Sequence, residues 1–222
     1  ITVDYLSQAS CGRATTVKAP FYSSRIPMDD GAGGTIFFAA HNLGADTSYN
    51  PDIPRQEIAG DYYQWGNITP VATAYTSDGA IAGWNSTGSS GSVWADSSKS
   101  ASDPCPDGFR VPTKDQMTAL TLNNDLSAIG SFDGSSTNFG AAHVITNGAN
   151  KLTLPASGRR SYAGGPESNR AETTGYWTST YIGPCGKAST NCAWNLYLEM
   201  NVWSVSSNEF IPNGFAVRCV LE

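Results

Sequence analysis

The most reactive side chains in this sequence are the thiols of five cysteines, Cys11, Cys105, Cys185, Cys192 and Cys219. No two of them form a Cys-x-x-Cys pair, so a thiolate zinc site is disfavoured and disulfides in an oxidising compartment are preferred. Cys185 and Cys192 enclose the turn-forming segment GKASTN, which predicts a loop disulfide. Cys105 and Cys219 are far apart in sequence, and a bridge between them would close most of the domain. Cys11 would then be free or paired with another molecule.

The two histidines are the remaining candidates for acid–base chemistry. His41 follows the apolar run TIFFAA, and His143 lies among small apolar residues in GAAHVIT. Neither has a carboxylate neighbour to orient it as a base, and no G-x-S-x-G elbow is present. Each is predicted to be a packed histidine with one hydrogen bond. Asp29 and Asp30 lie in a glycine-rich turn and are predicted to be solvated, so we predict no catalytic residue.

The pair Trp194-Asn195 resembles the first two residues of the Trp-Asn-Asp triplet with which many C-type lectins bind calcium. Leu196 follows here, so the third oxygen ligand is missing. We predict no metal site and no cofactor. Calcium itself stays open, because hard cations also accept scattered carbonyl and carboxylate oxygens.

The segment CAWNLYLEM alternates in the manner of a half-buried strand. Trp194, Leu196, Leu198 and Met200 are predicted on the buried face. The opposite face, which carries Asn195, Tyr197 and Glu199, is therefore predicted to be exposed.

Aromatic and amide side chains are frequent in the C-terminal third of the chain. Such residues suit a binding surface, because Tyr and Trp give large contact areas while Asn supplies adaptable hydrogen bonds. The alternative that Trp203 and Phe210 complete the core is left open. The predicted ligand-binding residues are Tyr162, Tyr181, Asn195, Tyr197, Glu199, Asn201, Trp203 and Asn208.

One helix start is clearly marked, in the segment FRVPTKDQM. Pro112 fixes the chain entry, Thr113 is a candidate N-cap, and Gln116 three residues later completes a capping box. Met117 and Leu120 are predicted to share the buried side of this helix. A disulfide between Cys105 and Cys219 would tie the helix to the last strand.

Several short segments are predicted strands, whereas residues 67–102 are predicted to form a long ordered loop pinned by Trp84 and Trp94. The predicted strands are TVKAPFYSS, TIFFAA, the aromatic GDYYQWG, pieces of NKLTLPASGRRSY and GYWTSTY, and the C-terminal GFAVRCVLE. The last of these is predicted to be a half-buried strand with Val217, Cys219 and Leu221 on one face.

The composition favours a secreted, loop-rich β protein. Charged residues make up 14% of the 222 residues, well below the globular average of about 25%. The net charge is −6, and Arg159-Arg160 is the one visible basic pair, so nucleic acid and anionic lipid are disfavoured partners. No apolar run reaches the roughly 20 residues of a membrane helix, so membrane insertion is not expected.

Several motifs together resemble a known family. The segments DPCPDGFRVPTKDQM, LTLPASGRR, GYWTST, AWNLYLEM and NGFAVRCV, in this order, resemble the Fibrobacter succinogenes major paralogous domain. AAHNLGA and GDYYQWG fit it upstream, so the resemblance covers residues 35–222. This family occurs mainly on secreted and surface proteins of Bacteroidetes-like bacteria. It is thought to be related to the C-type-lectin-like fold, which also includes formylglycine-generating enzymes.

The resemblance implies an α+β, C-type-lectin-like fold with short twisted antiparallel strands, one or two helices and long ordered loops. It predicts a single domain over residues 1–222. Residues 1–34 would be an N-terminal extension or first strands, and residues 35–222 the family-like core.

The implied function is non-enzymatic recognition or adhesion at the extracellular or bacterial outer surface, with a carbohydrate or protein ligand. One alternative is a structural subunit of a surface filament or fimbria, which would associate with itself or with other appendage subunits. Another is an oxidase relative of formylglycine-generating enzymes, which use a pair of reactive cysteines. Cys185 and Cys192 are the only close pair here. They lack the flanking motifs of those enzymes, and Lys187 is the one nearby base.

Overall fold

The computed structural model describes residues 24–89, 93–185, 190–200 and 202–222, and for residues 202–207 the backbone alone. Strands account for 38% and helices for 7% of this described part. Apart from its last residue, the predicted strand TVKAPFYSS lies outside it. No helix in the described part is both long and apolar enough to cross a bilayer.

The described ranges contain two helices, α1 Gln56–Ala59 and α2 Lys114–Leu122. The first five strands are β1 Arg25–Asp29, β2 Thr35–Ala39, β3 Asp61–Gln64, β4 Ala72–Thr73 and β5 Phe109–Arg110. The next five are β6 Asp125–Ile129, β7 Ala142–Asn147, β8 Asn150–Pro155, β9 Arg159–Arg160 and β10 Glu167–Ser168. The last five are β11 Thr173–Cys185, β12 Thr190–Glu199, β13 Val202–Phe210, β14 Gly214–Phe215 and β15 Val220–Leu221.

Within these ranges the strands form four sheets with antiparallel pairing. Their orders are β1-β2-β15-β5, β10-β9-β14-β3-β4, β11-β12-β13 and β6-β7-β8. The prediction of an α+β, C-type-lectin-like fold is therefore wrong, since the described part of the chain is mostly β-sheet with little helix. The physical reason is that only one segment of the sequence carries helix signals. Elsewhere the backbone hydrogen bonds are made largely between short neighbouring strands and in turns.

The predicted capped helix is confirmed. The Thr113 hydroxyl accepts a hydrogen bond from the Gln116 amide (3.1 Å), and the Gln116 side chain accepts one from the Thr113 amide (3.0 Å). Met117 and Leu120 are fully buried. The helix ends after nine residues, where Asn124 turns back and donates its side-chain amide to the Leu120 carbonyl (2.9 Å). This competition by an asparagine side chain is a common cause of helix termination.

Two apolar clusters form most of the core. The first core cluster is Met28, Ile36, Phe38, Met117, Leu120, Ile145, Leu152, Leu154, Tyr176, Leu196, Leu198, Ala216 and Val220. The second core cluster is Ala39, Tyr63, Trp65, Trp94, Cys105, Phe109, Val111, Trp177, Ala193, Ile211, Phe215, Val217 and Cys219.

The C-terminal segment, residues 214–222, runs between these two clusters. Alternate residues contribute to each, with Phe215, Val217 and Cys219 in the second cluster and Ala216 and Val220 in the first. The prediction of one half-buried terminal strand is therefore wrong in two respects. The segment divides into β14 and β15 in different sheets, and both of its faces are covered.

Arg218 lies in the middle of this segment and is 1% exposed. Its guanidinium donates to the Asn42 side chain (2.9 Å), to the carbonyls of Ala39 and Ala40, and to the Thr153 carbonyl (2.8 Å). These neutral acceptors come from the end of β2, the loop after it, and β8. Burial lowers the pKa of Arg218. The guanidinium thus joins three separate parts of the backbone.

Both predicted disulfides are confirmed. Cys105 is bonded to Cys219 and Cys185 to Cys192, with Cα–Cα distances of 5.9 and 5.8 Å. The first joins the loop before β5 to the C-terminal segment, and the second closes the β11–β12 hairpin. Cys11 lies outside the described residues.

The predicted long loop of residues 67–102 contains only the two-residue strand β4 among its described residues. Trp94 is fully buried and donates from its indole nitrogen to the Ser102 carbonyl (2.9 Å). Trp84 is half-buried and packs against Gly165 and Gly214. The two tryptophans therefore do pin the loop, as predicted.

Replacing both Cys105 and Cys219 by alanine is expected to lower the free energy of unfolding by about 3–5 kcal/mol, because the unfolded chain loses a very long crosslinked loop. Urea unfolding measures this change. The matched double replacement of Cys185 and Cys192 is expected to cost less, since those residues are only 7 positions apart instead of 114. Equal losses for the two pairs would contradict the loop-entropy explanation.

Candidate functional site

Tyr162 and Asn208, near the end of β13, are the most exposed of the predicted ligand-binding residues whose side chains the structure describes. Tyr162 is 45% exposed, and its ring meets that of Phe210 edge-on at 5.2 Å between centroids. Asn208 is also exposed. Asn201 lies outside the described residues, and only the backbone of Trp203 is described. The roles of all four predicted residues stay predictions.

Hydrogen bonds order this end of the sheet. The Tyr162 amide donates to the Asn213 side chain (2.7 Å), and Asn213 donates to Glu209 (2.8 Å). Arg159 donates to both carboxylate oxygens of Glu209, at 3.1 and 3.2 Å. Arg159 and Asn213 are thus both bonded to Glu209, and Tyr162 stands at the margin of this network.

The exposure predicted for Asn195 is wrong. Asn195 is fully buried, while Trp194, predicted to be buried, is only half-buried and lies under the Lys114 ammonium at 3.8 Å. The register between β12 and β13 shifts between Asn195 and Tyr197. Such a bulge reverses which side of the sheet the following residues face. Beyond the bulge Leu196 and Leu198 are buried, as predicted, whereas Met200, also predicted on the buried face, is 48% exposed because it lies in the turn after β12.

Beyond the bulge, Tyr197 and Glu199 are half-buried. The Tyr197 hydroxyl donates to the Glu199 carboxylate (2.6 Å), and burial raises the pKa of Tyr197. Tyr181 stacks on Trp65 with ring centroids 5.3 Å apart. These three side chains are partly committed to internal contacts, so the predicted binding face is narrower than the sequence suggested.

The histidines are packed, as predicted. His41 is buried, and its Nε2 contacts the Tyr49 carbonyl at 2.9 Å. His143 makes two polar contacts where one was predicted, to the Thr174 hydroxyl (2.9 Å) and the Glu199 carbonyl (3.2 Å). Burial lowers the pKa of His143 to about 4, so its ring is neutral at physiological pH.

A cleft of about 400 Å³ lies between residues 44–47, helix α1 and strand β4. Three carboxylates line it, those of Asp46, Glu57 and Asp61, together with the Gln56 amide. Tyr75 stands at its margin and is 67% exposed, whereas Tyr162 is 45% exposed. We refer to this feature as the Tyr75 cleft.

Local hydrogen bonds fix the walls of the Tyr75 cleft. The Asp46 carboxylate accepts from the amide and hydroxyl of Ser48, at 2.9 and 2.7 Å. The Gln56 side chain donates to the Ala74 carbonyl (2.9 Å) and so joins α1 to β4. Gly44 has φ +82°, and a Cβ there would collide with the Asp61 carboxylate, so the wall requires glycine at this position.

Asp61 is the electrostatically unusual member of the Tyr75 cleft. Desolvation raises its pKa from 3.8 to about 6. No side-chain hydrogen bond to a described residue offsets this cost. The carboxyl therefore changes from hydrogen-bond donor to pure acceptor near pH 6, and clefts are where such perturbed groups often have functional roles.

A second, smaller cleft of about 240 Å³ lies on the other side of Tyr75 and shares Gln56 and Ala74 with the first. Arg170 lines it, donates to Asp78 (3.1 Å), and lies over the Phe139 ring at 4.3 Å. Tyr75 therefore forms a ridge between two polar hollows.

No residue of the Tyr75 cleft was predicted to have a functional role. Its carboxylates come from three separate segments, and Tyr75 belongs to the stretch interpreted only as loop. One signal was available: Tyr75 lies in a polar segment without apolar periodicity, where an aromatic ring is more easily exposed. Its neighbours in space could not be inferred from that.

No group of three or more His, Cys, Asp or Glu side chains among the described residues is placed to hold a metal ion. Whether calcium binds stays untested.

Comparisons with known proteins identify no relative. No family model matches the chain, and no curated protein or solved structure is significantly similar to it. The resemblance to the Fibrobacter succinogenes family therefore stays a prediction.

Replacing Asp61 by asparagine is expected to change the pH dependence of stability. Between about pH 4 and pH 6 the folded protein keeps Asp61 protonated, while the unfolded chain ionises it. The free energy of unfolding of the parent protein therefore falls as the pH rises through this window. The variant lacks this loss. Its Tm relative to the parent protein should therefore be higher at pH 7.5 than at pH 4. A difference that does not vary with pH would contradict the raised pKa.

Proposed function

We propose that this chain is a non-enzymatic extracellular recognition or adhesion domain that binds a carbohydrate in the Tyr75 cleft. The observation that carries the proposal is an exposed tyrosine ring beside a polar hollow with rigid walls. The two disulfides are consistent with a secreted protein. Display on a bacterial outer surface is part of the proposal.

The chemistry of the cleft suits a polyhydroxylated ligand. Carboxylate and amide groups accept and donate hydrogen bonds to hydroxyls, and a tyrosine ring offers a large apolar face at low entropic cost. The volume of about 400 Å³ lies within the usual range for ligand pockets, about 300–1,000 Å³. Because hydrogen bonds already hold the loops, little ordering is needed on binding, which favours affinity.

The C-terminal face around Tyr162 is the second candidate for the same function. Its support is the exposure of Tyr162 and Asn208 and the ordered network beside them. It differs from the Tyr75 cleft in one respect. The carboxylate near its exposed ring, that of Glu209, is already paired with Arg159.

A glycan array with the full chain, followed by calorimetry, distinguishes the two sites. Tyr75→Ala is expected to weaken binding of any glycan hit by at least about tenfold, the loss expected when the contact with one aromatic ring is removed. Tyr162→Ala, the matched removal of another exposed ring, is expected to leave the affinity unchanged. The reverse pattern would transfer the site to the C-terminal face.

The oxidase alternative requires reactive thiols at Cys185 and Cys192. The structure joins them in a disulfide, so the native protein is expected to show no alkylation of these two residues. Intact mass and peptide mapping after iodoacetamide treatment, with and without reductant, measure this. Labelling of either cysteine in the native protein would favour the oxidase over the recognition domain.

A further inference from the structure

A third recess shares no lining residue with the Tyr75 cleft or with the smaller cleft beside it. This groove of about 450 Å³ lies where the beginning of β2, the last two residues of the chain described here and the first half of α2 meet. Its apolar lining is formed by Ile36, Phe37, Ala119 and Leu221. We refer to it as the α2 groove.

The apolar part of the α2 groove is partly open to solvent. Phe37 is 38% exposed, although its neighbours Ile36 and Phe38 are buried in the first core cluster. Ala119 and Leu221 are half-buried. An exposed ring beside aliphatic side chains in a concave site is the usual form of an anchor pocket for a partner.

The charged lining of the α2 groove has one sign. Asp30, Asp115 and Glu222 contribute carboxylates, and none of its described lining residues is basic. Two of these carboxylates accept backbone hydrogen bonds within the chain: Asp30 from Ala32 and Gly34, and Glu222 from Lys99. Those bonds fix the positions of the two carboxylates without neutralising them, so the lining favours a cationic partner.

We propose that the α2 groove docks a cationic segment of another protein, in which an apolar side chain is flanked by lysine or arginine. The carboxylates select the charge, and Phe37 with Leu221 receives the apolar side chain. This interaction is separate from carbohydrate binding in the Tyr75 cleft.

A second copy of the chain is a poorer occupant. The chain carries 19 acidic and 13 basic residues, so two acidic molecules repel one another on approach. The adjacent basic residues Arg159 and Arg160 are also committed. Arg159 is paired with Glu209, and Arg160 is buried and donates to the carbonyls of Ser77 and Thr76, each at 2.7 Å. They offer no complementary cationic patch.

The test is an NMR titration of the ¹⁵N-labelled full chain with the hexapeptide acetyl-KKLFKK-amide. Shift changes are expected at residues 35–37, 115–119 and 221–222. The matched peptides acetyl-EELFEE-amide and acetyl-KKGSKK-amide are expected to bind weakly or not at all. Raising the salt concentration should weaken binding, because the carboxylates lie near the surface.

Variants of the chain test the two parts of the proposal separately. Asp115→Asn is expected to weaken binding of the cationic peptide about two- to fivefold, the usual effect of one exposed ion pair. Phe37→Ala is expected to weaken it about tenfold by removing apolar contact. Asp125→Asn, which removes an exposed carboxylate on β6 outside the groove, serves as the control and should have no effect.

Shift changes confined to other residues, or equal binding of the acidic and cationic peptides, would overturn the proposal. Concentration-dependent broadening of the same amides without peptide would instead identify a second copy as the occupant and overturn the heterologous partner. If Phe37→Ala fails to fold, Asp115→Asn still tests the proposal, because the replacement of Asp115 by asparagine removes no side-chain packing.

Discussion

The fold depends on how the C-terminal segment is held between two apolar clusters. Its alternate side chains fill both clusters, so it has no solvated face. Arg218 adds a polar constraint in the middle of this apolar setting, because its guanidinium donates to the carbonyls of three buried residues. The Cys105–Cys219 disulfide, one residue further on, attaches the loop before β5 to the same point. Core packing, hydrogen bonding and covalent crosslinking therefore converge on a few residues.

The constraint extends from this segment to the Tyr75 cleft. The Leu43 amide donates to the Val217 carbonyl, and the Asp61 amide donates to the Leu43 carbonyl, each at 2.9 Å. Asn42, which accepts from Arg218, also donates to the Ala59 carbonyl at the end of α1 (2.7 Å). One wall of the cleft is thus tied to the C-terminal segment through two short hydrogen-bonded paths. These hydrogen bonds give a fixed shape to a surface that is built on irregular loops, and a recognition site needs a fixed shape.

The two proposed recognition surfaces use the same net acidity in different ways. In the Tyr75 cleft the carboxylates stand beside an exposed ring and polar amides, a mixture that suits hydroxyl groups. In the α2 groove they flank an apolar lining, which suits a cationic chain with an apolar anchor. Because the chain carries few charged residues, few cations compensate a local group of carboxylates. Each group therefore has a larger effect on the local electrostatic potential.

The sequence by itself determined the features that arise from local chemistry. The capping box at Thr113 and Gln116 needs only residues three apart, and both disulfides followed from cysteine positions in a chain without a plausible metal site. The loop of residues 67–102 was likewise predicted to be pinned by Trp84 and Trp94, the two tryptophans in it. Tertiary structure alone decided the rest. The bulge that buries Asn195 is a mismatch between β12 and β13 that neither strand encodes separately. The division of the last segment between two sheets, and the meeting of Asp46, Glu57 and Asp61 beside Tyr75, depend on contacts between distant parts of the chain. The fold class was mispredicted for the same reason, since strand pairing is a non-local choice whereas a capped helix turn is a local one.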